Sequence, residues 1–257
     1  MLLDHTLFGE VDKVAIAIER LKAFEPPEGY YLAFSGGKDS VTIKALANMA
    51  GVKYDAHYSL TTVDPPELVQ FIKREHKDVK IVRPEKTMWQ LIVENGMPPL
   101  RQTRYCCRIL KERGGEGRVV ITGIRNQESN KRAGRKMVES CSMSGSHKRY
   151  VNPIIDWSDG EVWEFIKSNN IPYCSLYNEG WKRLGCVCCP NGNQVKQAER
   201  WPKIAAGYKR ACIRAQEMRI KKGLPIGGNF TTGEEMYDWW ISGAGSNKED
   251  DQTVMFE

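Results

Sequence analysis

The stretch YYLAFSGGKDS, residues 30–40, decides how this chain folds. Residues 30–34 form a short apolar run, rich in aromatic side chains, that is typical of a buried strand. The tripeptide Ser35-Gly36-Gly37 interrupts that run, and a helical pattern of apolar residues follows over residues 40–50. The stretch therefore predicts a strand, a tight loop and a helix in succession.

A loop of this kind is suited to hold phosphate. In an α/β sheet, the turn from the first strand to its helix lies at the carboxyl end of the strands, where backbone N–H groups and the helix dipole converge. Glycines let the backbone close around phosphate oxygens, a lysine adds charge, hydroxyls donate hydrogen bonds, and an aspartate positions Mg²⁺ or caps the helix. The residues expected in these roles are Ser35, Gly36, Gly37, Lys38, Asp39 and Ser40. The alternative is an ordinary glycine turn with a capping serine.

Strand and helix patterns alternate along the rest of the chain. Helices are expected over residues 11–24, directly after Asp64-Pro65-Pro66-Glu67, over residues 86–94 and over residues 158–169, and strands over residues 54–60, 79–82 and 118–123. Such alternation predicts a parallel sheet covered by helices on both faces. Sheet building is expected to stop after the helix of residues 158–169. A helical, basic pattern follows residue 189, and roughly the last thirty residues are expected to be peripheral.

Five of the eight cysteines lie in two groups. Cys106-Cys107 and the group of Cys186, Cys188 and Cys189 are roughly eighty residues apart, and two such thiolate sets can close four positions around a soft metal centre. Adjacent cysteines suit one zinc ion less well than an iron-sulfur cubane, because neighbouring side chains diverge. An iron-sulfur centre is favoured, with zinc or reduced thiols as alternatives. Three cysteines stand alone and are expected to be buried small hydrophobes: Cys141, Cys174 and Cys212.

Length and composition set the expected organisation. With 257 residues, 41% of them hydrophobic, the chain can bury one core. We expect an N-terminal helix in residues 1–25, a nucleotide-binding domain with the cysteine groups in residues 26–190, and a helical C-terminal extension in residues 191–257. The absence of a long apolar stretch or a signal-like N-terminus predicts a cytoplasmic protein without a membrane partner. The net charge of +6 indicates attraction to anions, or simply a surface with an excess of lysine.

The loop SGGKDS closely resembles the pyrophosphate loop of the PP-loop superfamily, which includes ATP pyrophosphatases and the sulfonucleotide (APS and PAPS) reductases. That resemblance implies an adenine nucleotide α-hydrolase-like α/β sandwich. The cysteine arrangement resembles the 4Fe-4S motif in the iron-sulfur branch of the PAPS/APS reductase family and in the ATP-pyrophosphatase component of DNA phosphorothioation systems. By that resemblance the cluster ligands are Cys106, Cys107, Cys186 and Cys189, and Cys188 is an additional thiol.

Further segments match the same family in order, from about residue 30 to residue 190. They are Asp64-Pro65-Pro66-Glu67, the GIRNQES segment of residues 123–129, residues 152–163 and residues 170–189. A basic run in this span, Arg125, Lys131, Arg132 and Arg135, is expected to meet phosphate or sulfate, with a solvated loop as the alternative. The expected catalytic residues are Lys38, Asp39 and Arg125, and the expected additional nucleotide contacts are Asp64, Glu67, Gly123, Arg132 and Arg135. Asp64 and Glu67 would alternatively cap a helix.

The resemblance implies an enzyme, and the chain's ending favours one of two reactions. Reductases of this family use a cysteine in a C-terminal tail, and residues 242–257 contain none. The favoured function is therefore an ATP pyrophosphatase that uses Mg²⁺ and ATP to activate an acceptor for sulfur transfer, with DNA or another nucleic acid as the acceptor and a cysteine desulfurase or other sulfur donor as partner. The alternatives are an APS or PAPS reductase that produces sulfite, and a non-catalytic nucleotide or redox sensor.

Overall fold

The chain folds around a central sheet, with most helices inserted between successive strands. A computed structural model describes residues 2–6, 9–140, 147–224 and 230–244. The strands are β1 (Leu3–Thr6), β2 (Gly9–Asp12), β3 (Tyr30–Ala33), β4 (Tyr54–Ser59), β5 (Lys80–Val82), β6 (Val119–Ile121), β7 (Val138–Ser140) and β8 (Arg149–Val151). The helices are α1 (Lys13–Ala23), α2 (Lys38–Ala50), α3 (Pro66–Glu75), α4 (Met88–Asn95), α5 (Tyr105–Leu110), α6 (Asn130–Ala133), α7 (Asp159–Ser168), α8 (Gln194–Arg200), α9 (Pro202–Lys221) and α10 (Gly233–Ile241).

Strand β3 lies inside a six-stranded sheet with the order β5-β4-β3-β6-β8-β7. Neighbouring strands are parallel, except that β7 runs antiparallel to β8. Tyr30 and Leu32 of β3 are fully buried, as expected for a central parallel strand with covered faces. The predicted fold class, a mostly parallel sheet flanked by helices with a helical C-terminal region, is confirmed.

The strand order reverses at the boundary between β3 and β6. From β3 the chain continues through α2 to β4 and β5 on one side, whereas β6 lies on the other side of β3. In open α/β sheets, ligands bind in the crevice outside the carboxyl ends of the strands at such a reversal. The phosphate loop follows β3 and the segment that carries Arg125 follows β6, so the topology brings these two parts of the sequence to one crevice.

Two features of the sheet region differ from the sequence-based expectation. Strands β7 and β8, which lie before the helix of residues 158–169, were not predicted; β8 pairs with β6 and β7 pairs with β8. Both strands have only three residues, and Val151 is the one buried residue in the two, so no apolar periodicity marks them. In addition, β1 and β2 form a separate hairpin ahead of the predicted first helix.

The C-terminal region is helical, as predicted, but its last described helix is not peripheral. Met236 and Trp240 of α10 are buried, and the Trp240 ring packs 4.7 Å from that of Tyr208 in α9. The indole Nε1 of Trp240 donates a hydrogen bond to the carbonyl oxygen of Pro99 at 2.7 Å. The glycine and acidic residues around α10 favour a peripheral segment when composition alone is considered, and they obscure the amphipathic pattern of this helix. Within the described ranges, no helix combines the length and apolar character needed to cross a membrane.

Candidate functional site

The backbone of the phosphate loop requires its first glycine. Gly36 has a φ of 72°, in the left-handed region that glycine adopts without strain. A Cβ atom at this position would lie 2.7 Å from Leu68 Cδ1 and 2.8 Å from Ile72 Cδ1, so α3 packs directly against the loop. The close contact explains why residue 36 has no side chain.

The loop itself supplies no side-chain cap to the start of helix α2, because the N-cap residue is Gly37. The Ser40 hydroxyl donates to the Gly37 carbonyl at 2.8 Å, and the Ser35 hydroxyl lies 3.2 Å from that of Ser40. The two serines therefore brace the loop against the first turn of α2, where N–H groups attract anions.

Four charged side chains form a network at this point. The Arg125 guanidinium donates from Nε to Asp39 Oδ1 at 2.7 Å and from Nη2 to Asp159 Oδ1 at 2.9 Å. Lys38 Nζ lies 3.0 Å from Asp39 Oδ2 and 2.9 Å from Asp159 Oδ1. A further Arg125 nitrogen, Nη1, donates to the Trp157 carbonyl oxygen at 3.3 Å. The three predicted catalytic residues, Lys38, Asp39 and Arg125, thus lie together in the structure.

Burial and charge act together in this network. The side chains of Lys38 and Arg125 are only 7% and 3% exposed, whereas that of Asp159 is 63% exposed. Burial by itself would raise the pKa of Asp159, but hydrogen bonds and charge from Lys38 and Arg125 lower it below its ordinary value. The site therefore holds two desolvated cations that are balanced by two carboxylates.

Gly123 allows the chain after β6 to approach the first turn of α2. A Cβ atom on Gly123 would lie 2.8 Å from Asp39 Cβ and 3.0 Å from the Asp39 backbone carbon. Because such a contact is too short for any larger residue, Gly123 permits the approach that lets Arg125 reach Asp39. In this structure its role is backbone packing at the site.

Two residues of the site, Asp159 and Tyr177, were not predicted. The backbone N–H of Lys38 donates to the Tyr177 hydroxyl at 2.8 Å, and the Tyr177 ring packs 4.9 Å from that of Trp163. Both missed residues lie in segments whose resemblance to the family is visible in the sequence, residues 152–163 and 170–189. That resemblance was the available signal, but it indicates no contact with the loop.

Four predicted nucleotide contacts have other partners. Asp64 accepts a hydrogen bond from the Thr61 backbone N–H at 2.7 Å. Glu67 accepts one from Trp201 Nε1 at 3.0 Å and pairs with Arg200 at 2.8 Å. Arg132 pairs with Glu128 and Arg135 with Glu139, each four residues away along the chain. Of the four, only Asp64 lines a pocket beside the loop, and the side chain of Lys131 lies outside the described part.

A pocket of about 160 Å³ opens beside the loop, lined among others by Ser35, Asp64, Lys111 and Gly185. Lys111 connects this pocket to the cysteines. Burial by itself would lower the pKa of Lys111, but the charges of Cys186 and Asp64 and a hydrogen bond with Cys186 raise it above its ordinary value. Lys111 is therefore positively charged at neutral pH and lines the pocket.

The two cysteine groups approach each other across the fold. A hydrogen bond with Cys107, burial, and the charges of Cys186 and Cys189 all raise the pKa of Cys106. The thiol of Cys186 also donates to Thr61 Oγ1 at 3.4 Å. The pKa of Cys106 therefore responds to cysteines of both groups, which places the four thiols that the family resemblance implies as ligands in one neighbourhood.

Cys188 differs from its neighbour Cys189. It is fully buried, has a φ of 56°, and its sulfur lies 4.0 Å from the carbonyl oxygen of Gln194. Burial raises the pKa of Cys188 to about 12. Cys174 and Cys212 are also fully buried, as predicted, and Cys141 lies outside the described residues.

The described cysteine and carboxylate side chains do not form a closed metal-ion site. In residues 2–6, 9–140, 147–224 and 230–244, no three His, Cys, Asp or Glu side chains are arranged to hold a metal ion. Both carboxylate oxygens of Asp39 contact cations, Lys38 and Arg125, so Asp39 does not fit the predicted role of a Mg²⁺ ligand in this arrangement. The iron-sulfur cluster stays a prediction.

Comparison with known proteins identifies the family. The phosphoadenosine phosphosulfate reductase domain matches residues 29–192, which is more than half of the chain. The chain belongs to this family. The matched range contains the loop, Arg125 and Asp159, Tyr177 and both cysteine groups, whereas α8, α9 and α10 follow it.

Several relatives share this domain. An uncharacterized protein of Methanocaldococcus jannaschii is 31% identical over 218 residues, which cover 75% of this chain and 44% of that protein. The adenosine 5'-phosphosulfate reductase of Allochromatium vinosum is 36% identical over 111 residues, 40% of this chain and 42% of that enzyme. That of Oceanobacillus iheyensis is 28% identical over 174 residues, 65% of this chain and 70% of that enzyme. The chain therefore spans less than half the length of the first two relatives.

A solved structure supports the fold of the phosphoadenosine phosphosulfate reductase family. The phosphoadenylyl-sulfate (PAPS) reductase from Candida auris, in a phosphate complex, aligns with a TM-score of 0.52 and 17% identity, over 68% of this chain and 88% of that one. At this identity the likeness is one of fold. It agrees with the PP-loop architecture that the loop SGGKDS predicts.

Proposed function

We propose that this chain binds an adenine nucleotide with the phosphates at the loop of residues 35–40. The observation that carries this proposal is the position of Lys38 and Arg125, two buried cations beside the start of helix α2, where the N-cap residue Gly37 offers no side chain. Desolvated cations and helix N-terminal N–H groups stabilise phosphate charge far better than solvated ones do. The pocket that opens at Ser35 supplies adjoining space for the rest of the nucleotide.

The proposed reaction is cleavage of ATP between its α and β phosphates. A nucleophilic oxygen of the acceptor attacks the α phosphorus, the bond to the β-phosphate oxygen breaks, and pyrophosphate leaves. A sulfur nucleophile then displaces AMP from the activated acceptor. In this scheme Lys38 and Arg125 balance the charge that accumulates on the departing pyrophosphate, and Asp39 holds both cations in position.

The thiols favour this reaction over sulfonucleotide reduction. A reductase needs an accessible cysteine that attacks the sulfur of its substrate. Outside the two groups, the described cysteines Cys174 and Cys212 are fully buried, as is Cys188 within the second group. The more accessible thiols belong to the set proposed to hold a cluster.

We further propose that the cluster is 4Fe-4S and that Cys106, Cys107, Cys186 and Cys189 hold it. Soft thiolate donors fit iron-sulfur chemistry, and the response of the Cys106 pKa to cysteines of both groups supports their grouping. The positive charge of Lys111 would offset part of the negative charge of the thiolates and would link them to the pocket. The bound cluster would supply structural support, an electrostatic contribution or a labile sulfur atom.

The second candidate function is adenosine 5'-phosphosulfate or phosphoadenylyl-sulfate reduction. The observation that favours it is sequence similarity to the adenosine 5'-phosphosulfate reductases of Allochromatium vinosum and Oceanobacillus iheyensis. Such a reaction in this chain would require a thiol from one of the two cysteine groups or from a partner.

One experiment separates these functions. The purified full chain, with iron and acid-labile sulfide measured under anaerobic conditions, is incubated with Mg²⁺ and separately with ATP, APS and PAPS. AMP and pyrophosphate from ATP support the proposal, whereas sulfite from APS or PAPS overturns it in favour of the reductase. Nucleotide binding without turnover favours a sensor. Lys38→Ala tests whether activity depends on the loop, and Lys203→Ala, an exposed lysine of α9, is its charge-matched control.

The acceptor and the sulfur donor are proposals of lower rank. A nucleic-acid acceptor rests on the net charge of +6, and a desulfurase partner rests on the family resemblance. Binding of duplex or single-stranded DNA should then weaken as salt rises. An absence of salt-dependent DNA binding argues against the nucleic acid and leaves the nucleotide proposal intact.

A further inference from the structure

Asp159 occupies a position that a phosphate oxygen would suit. Its single oxygen Oδ1 lies 2.9 Å from Lys38 Nζ and 2.9 Å from Arg125 Nη2. A carboxylate oxygen and a phosphate oxygen accept the same charge-assisted hydrogen bonds from an ammonium and a guanidinium group. The structure therefore shows one anionic oxygen shared by the two buried cations of the loop.

The two carboxylates of the network differ in how firmly they are held. Asp39 belongs to α2 itself, is 22% exposed, and uses a separate oxygen for each cation. Asp159 comes from a different helix, α7, is 63% exposed, and uses one oxygen for both. Because water can hydrate an exposed carboxylate as soon as it turns away, Asp159 is the easier of the two to displace.

Asp159 is not required to cap its own helix. Ser158 is the N-cap residue of α7 and accepts from the Glu161 backbone N–H, while the Glu161 side chain accepts from the Ser158 backbone N–H. This capping box already satisfies the start of the helix. The contacts of Asp159 are therefore directed to the loop region.

We infer that Asp159 is a positioning residue that holds Lys38 and Arg125 at the loop until a phosphate oxygen of the nucleotide replaces its Oδ1. The inference rests on the proposed phosphate site at residues 35–40. Two desolvated cations side by side need a counter-anion before the ligand arrives, since an uncompensated buried charge is strongly destabilising. Asp159 supplies that anion and competes with the ligand, so its removal strengthens phosphate binding.

The test is titration calorimetry of the full chain with inorganic pyrophosphate at low ionic strength. Asp159→Asn keeps the shape of the side chain and removes its charge. Asp156→Asn is the matched control, because Asp156 lies three residues earlier and pairs with Arg20 at 2.8 Å, outside the network. Asp159→Asn should bind pyrophosphate about threefold to tenfold more tightly than wild type. Asp156→Asn and Asp159→Glu should stay within about twofold of wild type.

The outcomes separate the inference from the proposed function. If wild type binds pyrophosphate but Asp159→Asn binds no more tightly than Asp156→Asn, Asp159 is only structural and the inference is overturned. A structural role alone would leave affinity unchanged or weaken it. If neither wild type nor Asp159→Asn binds pyrophosphate, the proposed phosphate site fails, and the inference fails with it.

Discussion

The loop region and the cysteine region of this chain are prepared for their ligands to different degrees. In the loop region, Lys38, Asp39, Arg125 and Asp159 already form hydrogen-bonded ion pairs. In the cysteine region, the four candidate thiols lie in one neighbourhood, but the described residues enclose no metal-ion site. Folding alone organises the first region, whereas the second would be completed only by the cluster proposed above.

The difference follows from the chemistry of the groups. Cations and carboxylates attract each other and can form a network without a ligand, which makes the loop region part of the stability of the fold. Thiols bind a metal centre only after they lose their protons, and the pKa is raised in Cys106 by a hydrogen bond with Cys107 and by burial, and in Cys186 by burial. This region therefore has no comparable network of charges before a metal binds. The following predictions concern the free energy of unfolding of the metal-free protein.

The largest effect is expected from Arg125→Ala. This change removes a cation whose side chain is 3% exposed and leaves Asp39 without one of its two partners. We expect a loss of about 3–5 kcal/mol in the free energy of unfolding, measured by urea denaturation. Arg132→Ala, which breaks a more exposed pair with Glu128 four residues away, should cost at most about 0.5 kcal/mol. Equal costs would contradict a loop region organised by folding.

The second effect depends on pH and concerns His76, which packs against Phe34, the residue directly before the loop. Its ring lies edge-on to Phe34 at 4.7 Å, and burial together with the charge of Lys44 lowers its pKa to about 4. The unfolded chain binds this proton near pH 6.5. The contribution of neutral His76 to the free energy of unfolding is therefore fully present above about pH 6.5. It is lost as the pH falls towards 4, and the loss amounts to about 3 kcal/mol.

The measurement compares the free energy of unfolding at pH 7 and pH 4.5. His76→Gln should reduce the loss of stability at the lower pH, and His147→Gln, which changes an exposed histidine, should not. An unchanged pH dependence in His76→Gln would mean that another group causes the acid sensitivity.

Gly36→Ala should have a smaller effect and lower the free energy of unfolding by about 2 kcal/mol. The added Cβ would collide with Leu68 and Ile72, and alanine is unfavourable at the φ of this residue. Gly51 has a similar φ of 68°, and a Cβ atom added there would have no other atom within 4 Å. Gly51→Ala should cost about 1 kcal/mol, which isolates the backbone contribution. Thermal unfolding of both variants measures the difference, and equal values would show that α3 yields to the added methyl group.

Cys106→Ser is expected to have the smallest effect on the metal-free protein, about 1 kcal/mol, because serine is close to cysteine in size and Cys106, at 9% exposure, is less completely buried than Cys188. The same change should lower bound iron at least tenfold after anaerobic reconstitution. Cys188→Ser should show the reverse, with iron retained and a larger loss of stability, since Cys188 is fully buried. Iron loss in Cys188→Ser would reassign the ligand.

The sequence predicts the loop region well where the signals are local. An apolar run, two glycines and a helical pattern are adjacent in the chain, and they correctly indicate β3, the loop and α2. Arg125 also meets the loop, because the sheet order reverses between β3 and β6. Local signals are weak for β7 and β8, whose three residues are too few for a periodic pattern.

Contacts between distant residues could not be predicted in the same way. Tyr177 and the Lys38 backbone are 139 positions apart, and neither residue type by itself indicates such a hydrogen bond. Glu67 illustrates the opposite error, because its place at a helix start suggested the nucleotide, whereas Trp201 and Arg200 are its partners. A single sequence contains the residue types but not the pairing, which depends on the packing of α7, α8 and α9.

The hydrogen bond from Trp240 to Pro99 can form only late in synthesis. It joins residues 141 positions apart and anchors the segment that leads to Cys106-Cys107. At translation rates of about 5–20 residues per second, Trp240 is made roughly 7–28 s after Pro99. The first cysteine pair therefore leaves the ribosome well before its supporting segment is anchored, and the nascent chain has an interval in which these thiols are open to cluster delivery or to oxidation.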